Sequence, residues 1–315
     1  MAGRAGRSGR PRRAPALTPA TVSAGLEPRT RDWVHSALPP AHEIHTVTPL
    51  RGGWTSRMCR LDIQGPDTSY PLVLRSFLKP FYARHAPGLL AREAGILRLL
   101  AGTTVPAARL HAVDPAGAGA AHPSLLMSLL PGRVDLTVDR SAELARQLVA
   151  IHAIANRPRT YQPWTDPDRV RVPDQDTALW RHAVGLIRRE APPWEGRFLH
   201  RDFHHGNVLF DGDTVTGVVD WVETSWGPAD LDVAHCATAT ALLHGPEQGL
   251  KFAGHYQEAG GVLGADHRYW RLLDALGFAP DAEKVAGPWR DLGRTDLTPT
   301  LLTRRLTDYV AAAVS

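Results

Sequence analysis

Between Phe198 and Trp221 the chain concentrates polar chemistry inside apolar brackets: Phe198-Leu199-His200-Arg201-Asp202-Phe203-His204-His205-Gly206-Asn207-Val208-Leu209-Phe210, then Gly217-Val218-Val219-Asp220-Trp221. Val208 to Phe210 and Val215 to Val219 are short apolar runs joined by Asp211-Gly212-Asp213. An Asp-Gly step between two such runs is a strong hairpin signal. The loop before the hairpin therefore begins and ends on apolar segments, and Asp202 and Asn207 can converge on one point from its two ends. The second strand then returns a third side-chain oxygen, on Asp220, so the fold must hold three oxygens at one site.

Those oxygens suit transfer of a γ-phosphoryl group. That reaction needs a group to orient or deprotonate the attacking hydroxyl and an oxygen-rich site for Mg²⁺, because most of it is placement and charge neutralisation. Mg²⁺ favours one or two carboxylates with phosphate oxygens and water, a set that Asn207 and Asp220 leave open. The cluster His200, Asp202, His204 and His205 could be imagined as transition-metal ligands, but no Cys or Glu nearby completes a familiar set. His200 reads as a scaffold that fixes the loop.

The remaining chain reads as a soluble, two-part body. Its 315 residues are near the size at which one core divides, and no apolar run approaches the roughly 18 residues that cross a bilayer. Cys59 and Cys236 are too few for a disulfide framework. The formal charge of +4 suggests nucleic acid, yet five arginines in the first fifteen residues carry it, and the body without them is at −1. That basic start has no apolar core for a secretory signal, so a cytoplasmic protein is expected. Residues 1–20 are expected to be a disordered Arg-rich tail, with no specific nucleic-acid or membrane partner; the oligomeric state is not legible.

Periodicity sorts the body. A helix is expected at Arg31 to Leu38, closed by Pro39-Pro40. Strands are expected at Ser56 to Ile63, Tyr70 to Phe77, Leu110 to Val113 and Ser124 to Leu129. Helical spacing marks Leu89 to Ala101, with Glu93 on its apolar face, and then Ser141 to Ile154, Trp180 to Arg189, Trp270 to Leu276 and Leu301 to Val314. His152 is expected to pack. A carboxylate on an inward stripe needs a cation.

The 198–221 run resembles the aminoglycoside phosphotransferase-like family, a phosphotransferase family similar in fold to protein kinases, with a His-x-Asp-x-x-x-x-Asn loop and a metal-binding Asp one hairpin later. Trp226-Gly227-Pro228-Ala229-Asp230-Leu231-Asp232 is similar to the family's Gly-Pro segment before a helix, where Asp232 is expected as the cap. The resemblance implies an α+β, two-lobed protein-kinase-like fold: a small N-terminal antiparallel sheet lobe, residues 21–127, and a larger, mainly helical C-terminal lobe, residues 128–315. It implies Asp202 as catalytic base and Asn207 and Asp220 as Mg²⁺ ligands.

Upstream, Leu50 to Arg57 resembles the turn over the ATP phosphates, giving Gly52, Gly53 and Ser56 as nucleotide-binding candidates. Arg75 stands where kinases carry a lysine, with Glu93 as its partner, and its planar fork changes how phosphate is gripped. Ser124 to Gly132 resembles the hinge between lobes, with the Ser128 carbonyl and Leu130 N–H for adenine. His205 departs from the family, where many members have proline. The implied reaction moves the γ-phosphoryl of ATP to a hydroxyl of a small molecule. An aminoglycoside-like antibiotic is favoured; a metabolic acceptor (amino alcohol, sugar, nucleoside) or a macrolide stays open, as does a silent kinase-like binding protein. From Arg133 to Asp232 there are 16 acids and 12 bases, which permits a polycation. Glu223 and Asp230 could help bind one or simply line a loop, and Trp221 and Trp226 are the tryptophans expected to touch substrate.

Overall fold

The computed structural model describes residues 25–51 and 55–315; the Arg-rich tail and the candidates Gly52 and Gly53 lie outside them. Strands β1 (Glu43–Leu50), β2 (Arg57–Gln64) and β3 (Ser69–Ser76) form an antiparallel meander. After helix α2 (Pro80–Leu100), β4 (Leu110–Asp114) and β5 (Ser124–Ser128) complete a five-stranded sheet in the order β1-β2-β3-β5-β4. Every pairing is antiparallel. Alternation along β3 divides two cores, as the two-residue period of a strand requires. Leu72 and Leu74 meet Val34 and Leu38, from α1 (Pro28–Ala37) and the residue that follows it, in a small core, whereas Val73 and Phe77 join Leu90 and Leu97 of α2 in the main one.

The four expected strands are present to within one residue. Helix α2 begins well before Leu89. Pro80 sits at its start, where a missing N–H is harmless, and Pro87 is carried inside the helix.

The C-terminal part is helical with two small sheets. Helices α3 (Ser141–His152) and α4 (Thr177–Ile187) precede β6 (Gly196–Leu199), and the hairpin of β7 (Val208–Asp211) and β8 (Thr214–Val218) follows. Gly212 turns that hairpin at φ 58°, the left-handed region that glycine enters without a Cβ clash. Strand β9 (Ser225–Pro228) returns to pair with β6. Then come α5 (Ala229–His244), α6 (Pro246–Glu258), α7 (His267–Leu276), α8 (Glu283–Asp291) and α9 (Pro299–Val314). Helix α5 is buried from Ala229 to Leu243; a helix that is buried all round belongs at the centre of its lobe, and α6, α7 and α9 pack on it.

One expectation is corrected here. Pro228 precedes the first residue of α5, so Asp232 lies a turn inside the helix and does not cap it. Cys59 and Cys236 are buried and unbridged. No helix among the described residues is long and apolar enough to cross a membrane.

Candidate functional site

The loop between β6 and β7 is fixed from underneath. Asp232, fully buried, accepts the backbone N–H of His200 on Oδ2 and that of Arg201 on Oδ1, each at 2.8 Å. The His152 ring lies 3.3 Å from Oδ2, with its other nitrogen 2.7 Å from the Tyr256 hydroxyl. His152 is therefore a hydrogen-bonded support as well as a packed side chain. Burial opposes the Asp232 charge, but these donors hold its carboxyl below the usual range.

His200 ties the loop to the hairpin. Its Nδ1 accepts the Asp202 N–H at 3.3 Å, which leaves Nε2 to donate to the Val219 carbonyl at 3.0 Å. Burial keeps this ring neutral by lowering its pKa, as one donor and one acceptor nitrogen require. The Val219 N–H donates to the Asn207 carbonyl at 2.9 Å, so the residue before Asp220 is anchored to the far end of the loop. Arg201 and Asp220 both take left-handed φ, 77° and 63°. Non-glycine residues occupy that region at a cost of about 1 kcal/mol or more, held here by the bonds around them.

Asp202 and Asn207 meet as the spacing suggests. The Asn207 Nδ2 donates to the Asp202 backbone carbonyl at 2.8 Å and to its Oδ2 at 3.1 Å. The Asn207 side-chain carbonyl is left without a partner among the described residues. The other Asp202 oxygen, Oδ1, lies 3.2 Å from Nε2 of His235 on α5, whose Nδ1 is 2.9 Å from Oδ1 of Asp274 on α7. Although partial burial raises the Asp202 carboxyl pKa, the His235 hydrogen bond and nearby positive charge push it well below the usual range. His204 turns Nδ1 to accept the Gly206 N–H at 2.9 Å, and burial lowers its pKa to about 4.

Across the cleft, the buried Arg75 meets Glu93 as expected. Its Nη1 reaches both Glu93 oxygens at 2.9 Å and Asp220 Oδ1 at 3.3 Å, and Nε donates to Ser56 Oγ at 3.1 Å. Burial opposes the guanidinium charge, but Glu93 and Asp220 outweigh it and keep Arg75 firmly protonated. Nη2 has no partner among the described residues. Ser128 ends β5, and its Oγ accepts the Arg109 N–H at 2.8 Å. Leu130 lies against Gly217 of β8, where a Cβ would come within 2.9 Å of its side chain.

Other expectations move. Trp221 is core: it is 1% exposed, donates to the Val218 carbonyl at 2.9 Å and lies 4.4 Å from the His200 ring. Trp226 packs over Gly196 on the β6–β9 pair. The exposed aromatic beside the loop is Trp164, 50% exposed, under the Arg201 guanidinium at 4.2 Å and edge-on to His235 at 5.5 Å. Asp230 is buried on the Gly264 N–H and His267, and Glu223 is paired with Arg159 at 2.7 Å. His205 is fully buried with neither ring nitrogen bonded, beside the His244 ring at 5.3 Å; it takes no part in the Asp202 cluster.

Asp202, His204 and His235 lie close enough to suggest three ligands for a metal ion. Their donors are already engaged: both His235 nitrogens face carboxylates, and the His204 tautomer that accepts from Gly206 puts its hydrogen on the nitrogen facing Asp202. They do not fit a transition-metal centre. Asn207 and Asp220 do fit a hard cation, because each retains a side-chain oxygen that nothing among the described residues binds.

A two-lobed, protein-kinase-like scaffold carrying an Asp–Asn loop and a hairpin Asp defines a class of phosphotransferases. Residues 46–273 match the model of the phosphotransferase enzyme family, and the chain belongs to that family. It is a phosphotransferase enzyme.

Solved structures carry the same fold. A protein of Ralstonia eutropha JMP134 provisionally assigned as an aminoglycoside phosphotransferase superposes with a TM-score of 0.62 at 17% identity, over 90% of this chain and 96% of the other. A macrolide 2'-phosphotransferase type I gives 0.56 at 19% identity, over 86% and 91%. A thermostable variant of aminoglycoside phosphotransferase APH(4)-Ia, in ternary complex with ADP and hygromycin B, gives 0.55 at 18%, over 86% and 95%. No curated protein sequence matches this chain.

Proposed function

We propose that this enzyme moves the γ-phosphoryl group of Mg-ATP to a hydroxyl of a small molecule, with Asp202 orienting that hydroxyl and accepting its proton. The observation that carries the reading is the set of free oxygens. Asn207 commits its amide to Asp202, and Asp220 gives one oxygen to Arg75, so a carbonyl and a carboxylate oxygen remain beside the Asp202 carboxylate. Asn207 and Asp220 would hold Mg²⁺, which supplies neutralisation of phosphate charge when bound.

The nucleotide would lie between the lobes, residues 21–127 and 128–315. Arg75, oriented by Glu93 and Ser56, would offer Nη2 to the phosphate oxygens, with the turn of Gly52 and Gly53 over them. The Ser128 carbonyl and Leu130 N–H would meet adenine. A low Asp202 pKa suits this role, because phosphoryl transfer asks for placement more than for a strong base. Asp202 would thus stay ionised at neutral pH and take the proton late, as the hydroxyl oxygen bonds to phosphorus.

An aminoglycoside-like acceptor is the first to test, on the family resemblance. A second reading, a metabolic acceptor with few positive charges, is favoured by the charge around the site. Glu223, close to Asp220 in the chain, is drawn to Arg159, Asp230 is occupied by His267, and Arg201 and His235 flank Asp202. An ATP-consumption screen over aminoglycosides, macrolides, amino alcohols, sugars and nucleosides decides between them. Asp202→Ala is expected to abolish turnover while sparing nucleotide binding; comparable turnover in the variant would remove the mechanism.

A further inference from the structure

His235 sits in α5, three residues after Asp232 and therefore on the same helical face. It is 6% exposed, and its two ring nitrogens each face a carboxylate: Nε2 at 3.2 Å from Asp202, Nδ1 at 2.9 Å from Asp274. A neutral imidazole has one N–H, so one carboxylate would then face a lone pair; only the cation donates to both. The charges on every side favour the cation. Asp202 from the loop and Asp274 from α7 are negative, His204 is held neutral, and the positive groups are Arg201, which lies on Trp164, and Lys284 of α8, which lies over the Phe278 ring. Burial works against a charged ring, yet Asp274 and Asp202 outweigh it and push the His235 pKa up to about 10.

A buried ion chain of this kind adds little stability over an apolar residue of the same size. An apolar side chain there would meet Phe278 and Trp164, whose rings lie 6.0 and 5.5 Å from the His235 ring. What the chain does supply is direction. Asp202 is 34% exposed in its side chain and would otherwise be free to turn. With His235 on Oδ1 and Asn207 on Oδ2 its rotamer is fixed from both sides, and Asp274 carries the anchorage into α7.

We propose that His235 is a positioning residue for the phosphotransfer reaction, a doubly donating imidazolium that aims the Asp202 carboxylate and is itself aimed by Asp274. The proposal rests on the reading of Asp202 as the group that meets the acceptor hydroxyl. Its loss lets the carboxylate swing, and a misplacement of about 1 Å at a reacting group costs on the order of 100-fold in rate.

The test uses the full chain with Mg-ATP and the acceptor found by the screen, or water where none is found, and compares His235→Leu, His235→Gln and Asp274→Asn. His235→Leu should lower kcat about 100-fold with KM for ATP unchanged, and His235→Gln, which keeps a donor towards Asp202, should recover part of it. Asp274→Asn should fall between, and His235→Leu should add nothing to Asp202→Ala. Full kcat in His235→Leu, where Asp202→Ala is inactive, overturns the proposal while leaving the kinase reading intact. Nitrogen-15 NMR of the imidazole decides independently of turnover: both His235 nitrogens should carry protons at pH 8, and a neutral ring there overturns the proposal even if no acceptor is known. Turnover retained in Asp202→Ala removes the role given to Asp202, and with it the positional role assigned to His235.

Discussion

Replacing Asp232 by alanine should loosen the loop that carries Asp202 by a calculable amount. In the wild type two buried backbone N–H groups, those of His200 and Arg201, each end 2.8 Å from an Asp232 oxygen. Deleting the carboxylate leaves both donors unpaired in a site closed to water, at about 1–3 kcal/mol each. The His152 contact is lost as well. Against this, removing a buried charge returns part of its desolvation cost, so a net loss of about 3 kcal/mol is expected. Urea unfolding at pH 7 reads it as a lower midpoint with an unchanged slope. Asp232→Asn should recover little, because an amide can accept from one N–H but turns its own donors towards the other. Arg201, at φ 77°, is the residue whose backbone is then free to relax, and turnover should fall with it. A loss below about 1 kcal/mol with a normal slope would refute the view that Asp232 anchors the loop.

Two further outcomes follow from buried charge. Among the described residues, Glu93→Ala leaves Arg75 with Asp220 and Ser56 as hydrogen-bond partners; breaking a buried pair costs about 3–5 kcal/mol. Thermal unfolding should show the drop and nucleotide titration a weaker Kd, and an unchanged Kd would separate Arg75 from the phosphate site. For His235 the sign is set by a pKa raised on folding, to about 10. Its stabilisation is complete below the ordinary histidine value of about 6.5 and is lost as pH rises towards the folded value. The gap in unfolding free energy between wild type and His235→Leu should therefore narrow from pH 6 to pH 9.5; a gap that widens contradicts the charge assignment.

Much of the site was legible because it is local in sequence. Asp202 and Asn207 share one loop, and the Asp-Gly turn announces the hairpin that returns Asp220. The Arg75–Glu93 pair was legible from one physical rule, that a carboxylate on an apolar helix stripe needs a cation, joined to the family resemblance that points to Arg75. The same rule applies to Asp274 within Trp270 to Leu276, which it marks as needing a cation, and the structure supplies His235. His235 itself gave no local signal, since helix α5 is buried all round, with acids and hydroxyls among its apolar residues, and its faces become distinct only once the loop and α7 are packed on it. Asp232 differs from the expected cap for a related reason: an acid near a helix start suggests a cap, and only the packed structure reveals two backbone donors pointing at it from the loop after β6. The start of α2 was hidden by Pro87, which a helix can carry when its other bonds are kept. Trp221 lies next to Asp220 in sequence, but the left-handed turn at Asp220 sends the indole into the core and leaves Trp164, far away in the chain, as the exposed ring near the site.

The most direct measurement is transfer of label from γ-labelled ATP, with and without Mg²⁺, in wild type and Asp220→Ala. The account predicts Mg²⁺-dependent release or transfer of the labelled phosphoryl group by wild type and a loss of at least about 100-fold in the variant. Equal transfer by both proteins, or transfer that ignores Mg²⁺, would contradict it.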